Sequence, residues 1–209
     1  MLIHDRFVFI HLPKTAGSFL ATNLKREMPK GSLVSGVRDR RHPGWDDIPA
    51  EARGRPVLVF VRNPWDWYVS WYHFLLKRAP DPQVRAEAGI GDFATTIRRA
   101  CSGLIDPDSH EAPPPGEDIY TTRFRRFCGA GLESEMLTFG RFESLVDDLG
   151  RFLTAAGAPL GAEAITRIRE AEPRNVTTHD PYPQYYDDEL RDLVGNCCQM
   201  IVRRFDYTF

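Results

Sequence analysis

The chain has 209 residues, 42% of them hydrophobic, enough for one domain with a sizeable core. Its formal net charge of −2 speaks against a general nucleic-acid binder, which is expected to be basic, and leaves room only for a local basic pocket. No apolar stretch approaches the roughly 20 residues of a membrane span, and the start MLIHDRF has no basic region followed by a long apolar one, so no secretion signal and a cytoplasmic location are expected.

In chain order, residues 6–12 are predicted to form a buried parallel strand, followed by a helix over 17–27 with Leu20 and Leu24 on one face. A short strand is expected within 31–36 and a second buried strand at 56–62. A helix over 64–77 should bury Val69, Tyr72, His73 and Leu76, with Trp65, Trp67 and Trp71 packed in or near the core. Residues 136–141 are a weaker strand candidate, and 144–156 form a helix with Leu145, Leu149, Phe152 and Leu153 on its stripe. A last helix is predicted over 187–205. Strands alternating with helices imply an α/β domain with a largely parallel sheet. The Pro- and Gly-rich segments 79–91 and 103–118 are equally readable as lids, acceptor-site loops or plain connections. Cys101, Cys128, Cys197 and Cys198 contain no CxxC pair and are expected to be reduced thiols. No His/Cys cluster has zinc-ligand spacing, so no metal is expected.

Residues 7–20 read FVFIHLPKTAGSFL, a strand that runs through a short turn into a helix. Such a turn is an anion site by construction, because free N–H groups and the helix dipole both favour negative charge. Gly17 permits close backbone approach, Thr15 and Ser18 add hydroxyls, and Lys14 adds a mobile positive charge. The nucleoside-triphosphate loop, GxxxxGK[ST], places its lysine after the glycines. Here lysine precedes the only glycine of the turn, so that motif is absent. Taken alone, the turn is also readable as a capped helix start with an exposed lysine.

Residues 57–74, VLVFVRNPWDWYVSWYHF, repeat the arrangement. Asn63 can cap a helix with Pro64 at its first position and Asp66 in its first turn. Arg62 then stands at the carboxyl end of a strand, where open α/β sheets bind ligands. Its guanidinium and the Ser70 hydroxyl can converge on a second anion, the arginine binding two oxygens at once.

HLPKTAGSF followed by FVRNPWDWYVSWY resembles the sulfotransferase family that uses 3′-phosphoadenosine 5′-phosphosulfate, and most resembles the carbohydrate-type enzymes and their short bacterial relatives. LTFGRFESLVDDLGRFLTAAG is similar to the family's strand-helix segment, and NVTTHDPYPQYYDDELRDLV to its C-terminal segment, so the likeness runs nearly end to end. It implies a three-layer sandwich with a central, mainly parallel sheet, formed by residues 1–209 as a single sulfotransferase domain. It also implies that Lys14, Thr15, Ala16, Gly17 and Ser18 hold the 5′-phosphosulfate, that Arg62 and Ser70 hold the 3′-phosphate, and that Phe19 stands where related enzymes often place a Trp against the adenine. The donor would leave as adenosine 3′,5′-bisphosphate, without a metal. The acceptor would be a hydroxyl on a glycan or glycolipid.

Sulfuryl transfer, by analogy with phosphoryl transfer, relies on positioning and charge stabilisation. Lys14 is expected to oppose charge on the leaving phosphate. His42, in RDRRHPGWDDIP between the two motifs, is the expected general base, at a place comparable with the catalytic His of similar enzymes; a surface-loop histidine is the alternative. His11 is expected to order the turn, and His11, Asp46 and Asp47 are the next candidates for the base. Arg38, Arg40 and Arg41 are expected to form a solvated basic loop, with recognition of an anionic acceptor as the alternative. A non-catalytic nucleotide-binding module and a nucleotide-dependent kinase are the competing functions. The kinase is disfavoured by the missing GK[ST] and by the lack of an evident magnesium carboxylate.

Overall fold

A computed structural model describes residues 1–29, 33–35, 43–104, 113–114, 116–174 and 178–209. Two compact units emerge, one of Met1–Arg62 with Arg125–Val176, the other of Asn63–Phe124 with Thr177–Phe209.

The first unit carries a five-stranded sheet in the order β3-β1-β2-β4-β5. Its strands are β1 Leu2–His4, β2 Val8–Ile10, β3 Leu33–Ser35, β4 Val57–Val61 and β5 Leu137–Arg141. β2, β4 and β5 run parallel, with Ile10 opposite Val59 and Val61 opposite Arg141. β1 pairs antiparallel with both β2 and β3. The expected α/β architecture is therefore present, with parallel central strands. The expected strand at 6–12 is shorter, because Arg6 belongs to a tight turn in which His4 and Phe7 exchange backbone hydrogen bonds of 2.9 and 3.3 Å. β1 escaped sequence reading because three residues carry no period. Its stability comes from being paired on both sides.

Every residue of β4 is buried, which explains its unbroken apolar run. On one face of the sheet, Phe7, Phe9, Leu58 and Phe60 form a core with two helices, α1 Gly17–Glu27 and a later helix Leu145–Ala155. The first helix contributes Phe19, Leu20 and Leu24, the later one Leu149, Phe152 and Leu153. The rings of Phe9 and Phe60 meet edge to face at 6.3 Å, and those of Phe7 and Phe152 at 5.7 Å. Truncating Phe60 to Ala should cost about 3–5 kcal/mol.

The second unit is helical. α2 Pro64–Arg78 starts as expected, with Trp65 N–H donating to Asn63 Oδ1 at 3.0 Å. Its buried side differs from the expected stripe. Trp67, Tyr68 and Trp71 are fully enclosed, and Val69 is buried too, while Tyr72, His73 and Leu76 are half-buried. The first turns are aromatic and apolar apart from Asp66 and Ser70, so periodicity could not select a face. The packing does so by stacking Trp67 on Tyr120 at 4.4 Å.

Four further helices follow in chain order: α3 Pro82–Glu87, α4 Phe93–Cys101, α5 Ile119–Cys128 and, after α6 (the helix Leu145–Ala155), α7 Ala162–Arg169. α3 forms within the segment read as a loop at 79–91, over six of its residues. Its signal, Asp81 capping before Pro82, was legible, as was Asp92 accepting from Thr95 N–H at 2.7 Å to start α4. The expected last helix is divided at Cys198 into α8 Asp188–Cys197 and α9 Gln199–Phe205. Among the described residues, no helix is long and apolar enough to cross a membrane.

Candidate functional site

β2, β4 and β5 run parallel, so their carboxyl ends share one edge of the sheet in the first unit. The turn after β2 has an unusual backbone. Lys14 and Ala16 both adopt positive φ, 69° and 62°, a region that costs non-glycine residues about 1–2 kcal/mol each. Two such residues within three positions persist only when their surroundings hold them, and two contacts do so. Thr15, 1% exposed, donates its hydroxyl to the Leu12 carbonyl at 2.8 Å. Arg62, at the end of β4, donates from Nη1 to the Lys14 carbonyl at 3.2 Å.

Ala16 caps α1 without any side-chain acceptor, so no N-cap side chain takes up the N–H groups of the first turn. Gly17 follows with no side chain, and the space a Cβ would need is filled by the imidazole of His11. The glycine thus lets His11 pack directly against the start of the helix.

Arg62 is 8% exposed, and its guanidinium lies 4.0 Å above the Phe142 ring. Phe142 and its neighbour Arg141 were not singled out by sequence reading, although they lie in the segment that carries the family resemblance. Arg141 ends β5 opposite Val61 and is exposed; its backbone N–H is held by Asp148 at 2.7 Å. The sheet edge therefore carries Lys14, Arg62 and Arg141.

The other expected site residues divide as follows. Ser18 is half-buried in the first turn of α1. Phe19 is buried with Leu20 and Leu24 in the sheet-face core. Thr15 uses its hydroxyl within the turn. Ser70 lies in the second unit, two turns into α2, and is 6% exposed. His42, with Arg38, Arg40 and Arg41, lies outside the described residues. Of the alternative bases, Asp47 accepts from the Gly44 backbone at 3.0 Å and so closes the short helical turn Trp45–Asp47. Asp46 rests against Gly129, where its carboxylate fills the place of a side chain. Both carboxylates thus have structural roles.

The second unit holds a histidine cluster that the sequence did not announce. His73 Nε2 is 2.8 Å from the Tyr185 hydroxyl, and its ring stacks on His179 at 5.1 Å. Burial, with His179 next to it, holds the His73 imidazole below the usual histidine range.

No protein-family model and no curated protein sequence matches the chain. Its fold is similar to a solved structure, mouse sulfotransferase SULT7A1 complexed with PAP, at a TM-score of 0.58 and 13% identity, covering 97% of this chain and 85% of that one. At this identity the likeness concerns the course of the backbone: the chain is built on the sulfotransferase fold.

Proposed function

We propose that the protein is a sulfotransferase that moves the sulfonate of 3′-phosphoadenosine 5′-phosphosulfate to an acceptor hydroxyl, with residues 1–209 acting as one catalytic domain. The observation that carries this function is the strained turn at 14–18, held from behind by Arg62, on a fold similar to that of a PAP-bound sulfotransferase. The turn suits an anionic group, since it leads into the N-terminus of α1 and Ala16 caps that helix with no side-chain acceptor of its own.

Lys14, Ala16, Gly17 and Ser18 would hold the 5′-phosphosulfate, with Thr15 keeping the turn in shape. Arg62 and Ser70 would serve the 3′-phosphate, as the sequence motif assigns them. Phe19 contributes by fixing α1 on the sheet, since its ring is buried. When bound, the donor supplies an activated sulfonate and leaves as adenosine 3′,5′-bisphosphate. Lys14 then opposes the negative charge that grows on the phosphate side, and His42 takes the proton of the acceptor hydroxyl. The likeness of the motifs to carbohydrate-type enzymes supports a glycan or glycolipid acceptor, and the four cysteines, read as reduced thiols, support a cytoplasmic location.

The test is transfer of label from sulfonate-labelled donor to a panel of glycans, glycolipids and small phenols, with and without Mg²⁺. Labelled sugar formed without Mg²⁺ is expected. Binding of adenosine 3′,5′-bisphosphate with no transfer to any acceptor would favour the non-catalytic module. Stabilisation by Mg-ATP alone would favour the kinase. Adenosine 3′,5′-bisphosphate at about 100 times its dissociation constant should add roughly 2.7 kcal/mol of stability.

A further inference from the structure

Three of the four cysteines meet in the second unit around one buried carboxylate. Cys198 Sγ lies 3.2 Å from Asp118 Oδ1 and 3.9 Å from Cys197 Sγ, and Cys197 Sγ lies 2.8 Å from Cys101 Sγ. Donor atoms of Asp118, Cys197 and Cys198 all fall within 4.8 Å of one another. Asp118 is fully buried. Its Oδ1 accepts from the Tyr68 hydroxyl at 2.9 Å and from the backbone N–H groups of Tyr120 and Thr121 at 2.9 and 3.1 Å. Its Oδ2 is buried and has no hydrogen-bond partner among the described residues. A buried carboxylate oxygen without a partner is costly, and calls for an explanation.

We propose that Asp118, Cys197 and Cys198 form a binding site for a thiophilic divalent cation of the Zn²⁺ class. Two thiolates on one tetrahedral zinc, each at about 2.3 Å, stand roughly 3.8 Å apart; the Cys197 and Cys198 sulfurs are 3.9 Å apart. The break between α8 and α9 at Cys198 makes this possible. In a continuous helix two adjacent side chains diverge by about 100°, whereas here both sulfurs reach the same carboxylate. On binding, each of the two thiols gives its proton to solvent and each sulfur donates a lone pair to the ion. Oδ2 becomes the oxygen ligand, while Tyr68 and the α5 backbone keep Oδ1 and so fix the carboxylate from outside. Cys101 stands too close to Cys197 to share the ion with it, and acts as a thiol donor to the Cys197 thiolate.

A Cys101–Cys197 disulfide is the competing account of the shortest contact. It leaves the second adjacent cysteine and the unpartnered carboxylate oxygen unexplained, whereas a cation uses both. The ligands come from positions 118, 197 and 198, so no spacing in the sequence announces the site.

The experiment is anaerobic titration of the full chain, reduced and stripped with chelator, with Co²⁺ and then Zn²⁺, without nucleotide. One Co²⁺ per chain is expected, with a thiolate-to-cobalt charge-transfer band that Zn²⁺ abolishes. Zn²⁺ should also protect Cys197 and Cys198 from alkylation, scored by peptide mass against Cys128 as an internal reference. Cys197→Ala, at a half-buried position that tolerates truncation, should weaken binding by more than the ~10- to 100-fold that even outer partners of a metal site control. Three results would each overturn the proposal: no charge-transfer band in folded wild-type protein, undiminished binding in a folded Cys197→Ala/Cys198→Ala variant, or a native Cys101–Cys197 crosslink detected as the loss of two hydrogens. Because no nucleotide is present, none of these outcomes bears on the sulfotransferase function.

Discussion

The guanidinium of Arg62 donates to the backbone carbonyl of Lys14 across 3.2 Å, so the arginine of one motif holds the lysine of the other. Arg62→Ala should therefore act twice. Loss of a charge-assisted hydrogen bond is worth about 1.5–3 kcal/mol, or roughly 10- to 150-fold in affinity for adenosine 3′,5′-bisphosphate. The single-turnover rate at saturating donor should fall as well, because the Lys14 turn loses its support. Calorimetric affinity and quenched-flow transfer measure the two effects separately. Unchanged affinity would remove Arg62 from the 3′-phosphate.

Lys14 combines a charge with a left-handed backbone, and two substitutions separate these. Lys14→Ala and Lys14→Gly should both reduce single-turnover transfer by about 10²–10³, the usual value of one fixed donor to a developing charge. Only Lys14→Gly should also raise stability relative to Lys14→Ala, by about 1 kcal/mol, because glycine adopts positive φ without strain. A rate within threefold of wild type in either variant would exclude Lys14 as the main stabiliser of the leaving group.

Gly17→Ala should force its new methyl group into the His11 ring, at a cost of about 1–3 kcal/mol. The double variant His11→Ala/Gly17→Ala should recover most of that loss, giving a clear coupling energy in a double-mutant cycle followed by thermal melting. Additive effects would show that His11 does not pack where the imidazole is placed.

His42→Asn should leave affinity for adenosine 3′,5′-bisphosphate nearly intact and lower transfer by about 10²–10⁴. The wild-type rate should rise with pH through one ionisation in the histidine range, and that limb should disappear in the variant. An unchanged pH profile would send the search for the base elsewhere, and Asp46 and Asp47 would be poor successors because Asp47 closes its own turn and Asp46 packs against Gly129.

His73 should make the protein acid-sensitive. Burial lowers its proton affinity in the folded state, so the unfolded chain binds the proton more readily. Stability is then present above the unfolded value of about 6.5 and is lost as pH falls through the lower folded value. His4, lowered by burial next to Phe7, acts in the same sense. Melting temperatures measured from about pH 7.5 down to about pH 5 should decline, and His73→Gln, which retains a partner for Tyr185, should decline less. An identical slope in that variant would assign the acid sensitivity to other groups.

The sequence by itself determined the parallel strands β2, β4 and β5, the boundaries of α1, the cap of α2 and the short turn between β2 and α1, because each rests on local chemistry. Unbroken apolar runs mark buried strands, and Asn63-Pro64 or a glycine after a short turn marks a helix start. Three features came only with the tertiary structure. β1 is too short to carry a period and exists through pairing with β2 and β3. The core tryptophans of α2 were legible, but Tyr68 as a member of its buried face in place of Tyr72, His73 and Leu76 was decided by packing, with Trp67 stacked on Tyr120, which a helix so rich in aromatics does not specify. The meeting of Asp118 with Cys197 and Cys198 depends on α5 and the α8–α9 break being brought together across 80 residues. Local spacing encodes turns and helix ends; contacts between distant residues are decided by the packing of whole elements, and that is where Arg62 found Lys14 and the thiols found their carboxylate.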